Sequence, residues 1–204
     1  MENDNNGSEI CLIIEELKII KDLFTQVVKI IPEFDITDEN ILPYGLKPHT
    51  RSVSWIVEQV IIQQTKFNKN LLGVSGVTYD LPDACLHDCE ILSQSKKYYV
   101  NIKITQANQK QNKNDISAVE KLFNDYKNHP NYRLIYAVFK FKFDNITISL
   151  KDDVHIFSPQ FLPIYINPRN DKLQAKYYAE PEIRTRSDFL EVLREKSSTI
   201  KLKK

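Results

Sequence analysis

Glycine is scarce in this chain, at four residues in 204. That scarcity weighs against the glycine-rich loops that cradle nucleotide phosphates. Cysteine is scarcer still: Cys11, Cys85 and Cys89 form an odd, sparse set that builds no disulfide framework and points to a reducing compartment. No apolar run approaches the roughly 20 residues needed to span a bilayer. The opening Met1-Glu2-Asn3-Asp4-Asn5-Asn6 is polar and acidic, unlike a secretory signal, so the expected location is the cytoplasm. Charge of one sign is also lacking. Lys and Arg number 28, Asp and Glu 27, for a formal net charge of +1, which argues against a histone-like or polybasic protein. A local basic face beside an acidic site remains compatible with that balance. There is no Gly-x-Ser-x-Gly nucleophile elbow, and the cysteines lack a persuasive catalytic partner.

What is present is enough for a packed interior, with 42% hydrophobic and 10% aromatic residues in a length that suits one domain. Residues 1–8 read as a disordered leader. Ile10, Ile13, Ile14, Leu17, Ile20, Phe24, Val27 and Val28 then recur at helical steps from Glu9 to about Ile31, and Pro32 closes the helix. A connector follows, punctuated by Pro43, Gly45 and Pro48. A second helix is expected with Ser52 or Ser54 as cap and Trp55, Ile56, Val60, Ile61 and Phe67 as its apolar stripe.

Beyond Gly73 and Gly76 the pattern turns strand-like. Strands are expected over Asp83–Leu92 and Tyr98–Thr105, joined by a turn at residues 93–97. Residues 106–114 form an amide-rich loop, and Asp115 is placed to cap a helix to about Asn128. Strands are expected again over Arg133–Phe143, Asn145–Leu150 and Val154–Phe157. Residues 158–186, broken by four prolines, read as irregular, with Ser187 capping a last helix to Leu193 and a frayed tail after it. The order implies an α/β fold with a mixed central sheet flanked by helices.

One constellation carries chemistry. Asp83 opens one expected strand, and Asn101 and Lys103 lie on the next with their side chains on the same face, because strand faces alternate with period 2. A hairpin would converge an acid, a second oxygen donor and a lysine. Magnesium takes hard oxygen ligands, and a lysine beside it can orient or deprotonate water and offset charge at a phosphate. That set suits phosphodiester hydrolysis.

Pro82-Asp83, a spacing of 18 (101 − 83), then Asn101-Ile102-Lys103 at the end of an apolar strand resembles the PD-(D/E)XK nucleases, and among them the type II restriction endonucleases. Glu58, a charged residue in a largely apolar helical segment, matches the upstream glutamate such enzymes often bring to the same metal site. The resemblance covers about residues 50–145. It implies a restriction-endonuclease-like core and a homodimeric, magnesium-dependent enzyme that cuts both strands of palindromic duplex DNA to leave 5′ phosphates and 3′ hydroxyls. It also implies one or two magnesium ions held by Asp83, Asn101 and Glu58, with the Ile102 carbonyl as a further ligand and Lys103 activating water. Residues 146–204 would serve DNA contact or dimerisation within a single nuclease domain.

Asn101 departs from the pattern, which has Asp or Glu there. It is read as a natural variant compensated by Glu58 or Glu90, as an inactivating change, or as the mark of a DNA binder that no longer cuts; the first reading is preferred. Blander accounts exist for each residue. Asp83 can be a turn residue, Lys103 a surface lysine and Glu58 one half of a helix salt bridge. Cys85, His87 and Cys89 alternate as zinc ligands do, yet lack the four-ligand knuckle of a structural site.

For DNA contact, Gln106, Asn108, Gln109 and Lys113 in the amide-rich loop are candidates, since Asn and Gln pair bidentately with adenine. Arg169, Lys172, Arg184 and Arg186, with Arg51 in the segment before the second helix, are candidates for phosphates. A solvated polar face explains them nearly as well.

Overall fold

The computed structural model describes residues 2–44, 50–108 and 114–201. The chain resolves into two compact units. One comprises Lys18–Gln109 and Tyr136–Ile156; the other comprises Met1–Leu17, Lys110–Ile135 and Phe157–Lys204. The class is α/β, as expected, with a mixed main sheet.

In the first unit that sheet carries the architecture. Its strands are β1 (Phe34–Asp35), β2 (Gly76–Thr78), β3 (Cys89–Ser93), β4 (Lys96–Gln106), β6 (Leu134–Asp144), β7 (Thr147–Leu150) and β8 (His155–Phe157). Their order is β1-β7-β6-β4-β3-β2, with β8 also paired to β6. Strand β6 is buried continuously from Leu134 to Phe139, the signature of a strand covered on both faces. Phe139 meets Phe24 of helix α1 (Glu2–Ile30) edge to face, with centroids 5.1 Å apart. Ile20, Val27 and Val28 extend the same buried stripe of α1.

Helix α2 (Thr50–Phe67) packs against β4. Val53, Val57 and Ile61 bury at four-residue steps, with Thr65 completing the line. This corrects the expected stripe: Trp55 is 65% and Phe67 84% exposed. The β-branched residues, each a good filler for a flat sheet surface, set the inward face. The helix begins at Thr50, so neither Ser52 nor Ser54 caps it.

The hairpin β3–β4 pairs Cys89 with Val100 and Ser93 with Lys96 in antiparallel register. Its loop is only Gln94-Ser95, both at positive φ, the twist that suits a two-residue hairpin. Asn145 takes the same left-handed conformation in the β6–β7 turn.

The second unit holds a three-stranded sheet ordered β5-β10-β9, formed by β5 (Asn114–Ala118), β9 (Ile164–Ile166) and β10 (Lys172–Ala175). The irregular reading of residues 158–186 is thereby corrected. Ile164, Leu173 and Ala175 alternate inward on strands short enough to fit between prolines. Asp115 is likewise part of β5 and caps no helix; α3 spans Val119–Asn128 and has no side-chain cap. The last helix, α4 (Arg186–Lys201), runs well past Leu193. Thr185 and Asp188 form its capping box: the Thr185 hydroxyl accepts from the Asp188 N–H at 3.2 Å, and the Asp188 carboxylate accepts from the Thr185 N–H at 3.1 Å. Residues 2–8, expected to be a disordered leader, are part of α1.

Candidate active site

The strand pair β3–β4 decides which acid meets Asn101 and Lys103. Strand β3 begins at Cys89, so Asp83 is on no strand. It lies exposed in a tight turn, closed by the Cys85 N–H donating to the Pro82 carbonyl at 2.8 Å. The expectation that Asp83 faces the cleft is corrected. The acid held there is Asp88, the residue just before the Cys89–Val100 pair that opens the ladder. It is tied to β4 twice. Its N–H donates to the Val100 carbonyl at 2.9 Å, and its Oδ2 accepts the Ile102 N–H at 2.6 Å.

Asn101 is buried, and its Nδ2 donates to the Leu86 carbonyl at 2.8 Å. Its Oδ1 is buried and has no hydrogen-bond partner among the described residues. Ile102 turns its side chain into the core. Lys103 shares the Asn101 face, and its Nζ sits 5.7 Å from the centre of the Tyr136 ring.

Glu58 on α2 joins this group electrostatically. Burial is the main cause that raises its pKa to about 7; the Asp88 carboxylate adds to the rise and Lys103 opposes it. Burial likewise raises the Asp88 carboxyl, against the attraction of Lys103 and the Ile102 N–H bond. Burial is thus the first cause of both shifts, and Lys103 opposes both. Perturbed carboxyls of this kind mark a candidate functional site.

Glu90 is committed elsewhere, 2.7 Å from Lys97 Nζ and 3.5 Å from His87 Nε2. The zinc reading gains nothing, since Cys85 and His87 lie before the strand. Among the described residues, no group of three or more His, Cys, Asp and Glu side chains is placed to hold a metal ion. The Asp88 and Glu58 carboxyls and the unpartnered Asn101 Oδ1 are hard oxygen donors of the kind magnesium takes.

The expected DNA-contact residues divide. Gln106 ends β4 half-buried, and Asn108 is exposed just beyond it. Gln109 and Lys113 lie outside the described residues, as do Lys47, Pro48 and His49. Arg51 lies in the first turn of α2, and its side chain is outside the described part. Arg169 and Lys172 are exposed around the β9–β10 turn.

Arg184 and Arg186 are used internally, which corrects their reading as phosphate contacts. Arg184 donates to the carbonyls of Gln160 and Leu162. Arg186 lies over the Tyr126 ring at 4.8 Å and donates to the carbonyls of Tyr126, His129 and Tyr132 at and beyond the C-terminal end of α3.

Asp88 is the residue that sequence reasoning passed over in favour of Asp83. Pro82 supplied the familiar dipeptide, whereas a two-residue turn at Gln94-Ser95 opens the ladder at the Cys89–Val100 pair, just after Asp88. The signal was the turn length.

No protein-family model matches the chain, and no curated protein matches it in sequence. Among solved structures it is similar to NlaIV restriction endonuclease, with a TM-score of 0.46 and 10% identity. The match covers 66% of this chain and 55% of that one, so it spans about half the length of the neighbour.

Proposed function

We propose that the protein is a magnesium-dependent endonuclease of duplex DNA whose centre is Asp88, Asn101, Lys103 and Glu58. The observation that carries this reading is the gathering at β4 of Asp88, tied to Val100 and Ile102, with the buried, unpartnered Asn101 Oδ1 and with Lys103, whose charge acts on both Asp88 and Glu58. Asp88 takes the part first assigned to Asp83. It presents its carboxylate while the Ile102 N–H fixes one oxygen. Asn101 Oδ1, the Ile102 carbonyl and Glu58 supply the other candidate oxygens for the ion.

Bound magnesium would act as a Lewis acid on the phosphate and lower the pKa of a water. Lys103 orients the attacking water and balances charge on the phosphate oxygens. Attack on phosphorus then breaks the bond to the 3′ oxygen, leaving a 5′ phosphate and a 3′ hydroxyl. Gln106 and Asn108, which follow Lys103 on the same strand and its exit, are the proposed base readers; Arg169 and Lys172 are proposed phosphate contacts. Cutting both strands of a palindrome calls for a homodimer with two such centres. Restriction of foreign DNA in the cytoplasm is the role that best suits such an enzyme.

A second reading, a DNA-binding module that does not cut, is favoured by Asn101 alone, which removes one charge from the pattern of the nucleases. A plasmid digest with magnesium and with EDTA separates the two. Discrete, magnesium-dependent fragments support the enzyme. Binding of the same duplex without cutting, under several divalent cations, supports the module.

A further inference from the structure

Asn101 makes a bond that no carboxylate can make. Its Nδ2 donates to the Leu86 carbonyl at 2.8 Å, and an aspartate there would set oxygen against oxygen. The neighbouring β4 residues make the companion bonds, Val100 accepting the Asp88 N–H at 2.9 Å and Ile102 donating to Asp88 Oδ2 at 2.6 Å. Three consecutive residues of β4 thus hold Leu86 and Asp88, which precede the regular strand and have no ladder of their own. The other end of the Asn101 amide is different. The residue is only 8% exposed, and its Oδ1 is buried with no partner among the described residues. Buried amide oxygens are almost always bonded, and an exception calls for an ion, a water or a role. Asp88 is held on the adjoining segment by the β4 residues on either side of Asn101, Val100 and Ile102.

We propose that Asn101 is a positioning residue with a second duty: its amide N–H fixes the Leu86–Asp88 segment, and its Oδ1 is a neutral oxygen ligand beside Asp88 for a divalent cation. The inference deepens the nuclease reading and rests on it only for the use to which the cation is put. It turns the departure from the acidic pattern into a requirement of this chain. Restoring the acid at position 101 damages the site, because the added charge is obtained by breaking the bond that places Asp88.

The test uses the full chain and manganese alone, followed by the loss of the free-ion paramagnetic signal, with thermal unfolding in EDTA alongside. Asn101→Asp is expected to bind manganese at least about tenfold more weakly than the unaltered chain and to unfold several degrees lower in EDTA. Tighter binding by Asn101→Asp with an unchanged midpoint overturns the proposal. Asn101→Ala keeps the analysis decisive if the aspartate variant does not fold. It removes the ligand without adding charge, and about tenfold weaker manganese binding is expected; unchanged affinity overturns the ligand role. A chain that shows this pattern of binding but cuts no duplex overturns the nuclease reading and leaves the inference in place. A chain that cuts DNA while Asn101→Ala keeps full manganese affinity does the reverse.

Discussion

Two regions of the molecule hold buried or half-buried polar groups, and they match them to different degrees. Around α4 and the β9–β10 turn the polar groups are mostly matched, with the buried Gln160 Oε1 and Arg133 Nε as exceptions among the described residues. Arg186 meets three backbone carbonyls, and Asp115 accepts from Asn167, Asn170 and Gln174 at 3.1, 2.8 and 2.8 Å. Slight burial works to raise the Asp115 carboxyl, but those amide donors and Lys172 win, so its pKa falls. Along β3–β4 the matching is incomplete. Glu58 and Asp88 are raised, and the Asn101 Oδ1 is unpartnered. A satisfied network rigidifies a fold, whereas an unsatisfied one costs stability. The difference separates arginines that build the protein from the residues of the proposed centre.

The largest expected effect lies on the unsatisfied side. Lys103→Ala and Asp88→Asn should each lower the rate of plasmid cleavage by about 10²–10⁴-fold in steady-state digests while leaving the far-ultraviolet circular dichroism spectrum unchanged. On the satisfied side the effect should be on stability. Arg186→Ala strips donors from the carbonyls of Tyr126, His129 and Tyr132 and should cost about 2–4 kcal/mol in urea unfolding. A loss under 0.5 kcal/mol would return Arg186 to the pool of candidate phosphate contacts.

A smaller effect is expected from Glu58 and is set by pH. Its folded pKa, about 7, lies above the ordinary glutamate value of 4.5, so the fold binds that proton more tightly than the unfolded chain does. The stability this contributes is complete below about pH 4.5 and is lost as pH rises through 7. Without divalent cations, Glu58→Gln should therefore gain on the unaltered chain by about 1 kcal/mol at pH 8, after allowance for solvent screening, and by nothing at pH 4. Thermal midpoints across that range check the sign. The smallest effect belongs to Asp83→Ala, which should change stability by less than about 0.5 kcal/mol and leave cleavage intact.

Sequence alone revealed the α/β class, most of α1 and the buried strand β6, because long apolar periodicity survives any tertiary context. It also placed Asn101 and Lys103 together on one strand face, a consequence of period 2 alone. It misjudged what depends on register and on partners. The inward face of α2 was drawn toward Trp55, since aromatic size outweighed the repeat of Val53, Val57 and Ile61. The strands β9 and β10 were hidden by prolines, and Arg184 and Arg186 look like any exposed cations until the carbonyls they meet are known. Asp83 won over Asp88 because a dipeptide is visible in one dimension and a hairpin register is not.

The most direct test of the assigned centre is a digest of one plasmid by three purified chains, the unaltered protein, Asp88→Asn and Asp83→Asn, each with magnesium and with EDTA. Discrete magnesium-dependent fragments from the unaltered protein and from Asp83→Asn, but none from Asp88→Asn, are the predicted result. Fragments that persist in Asp88→Asn and vanish in Asp83→Asn, or no cutting by any of the three, would contradict it.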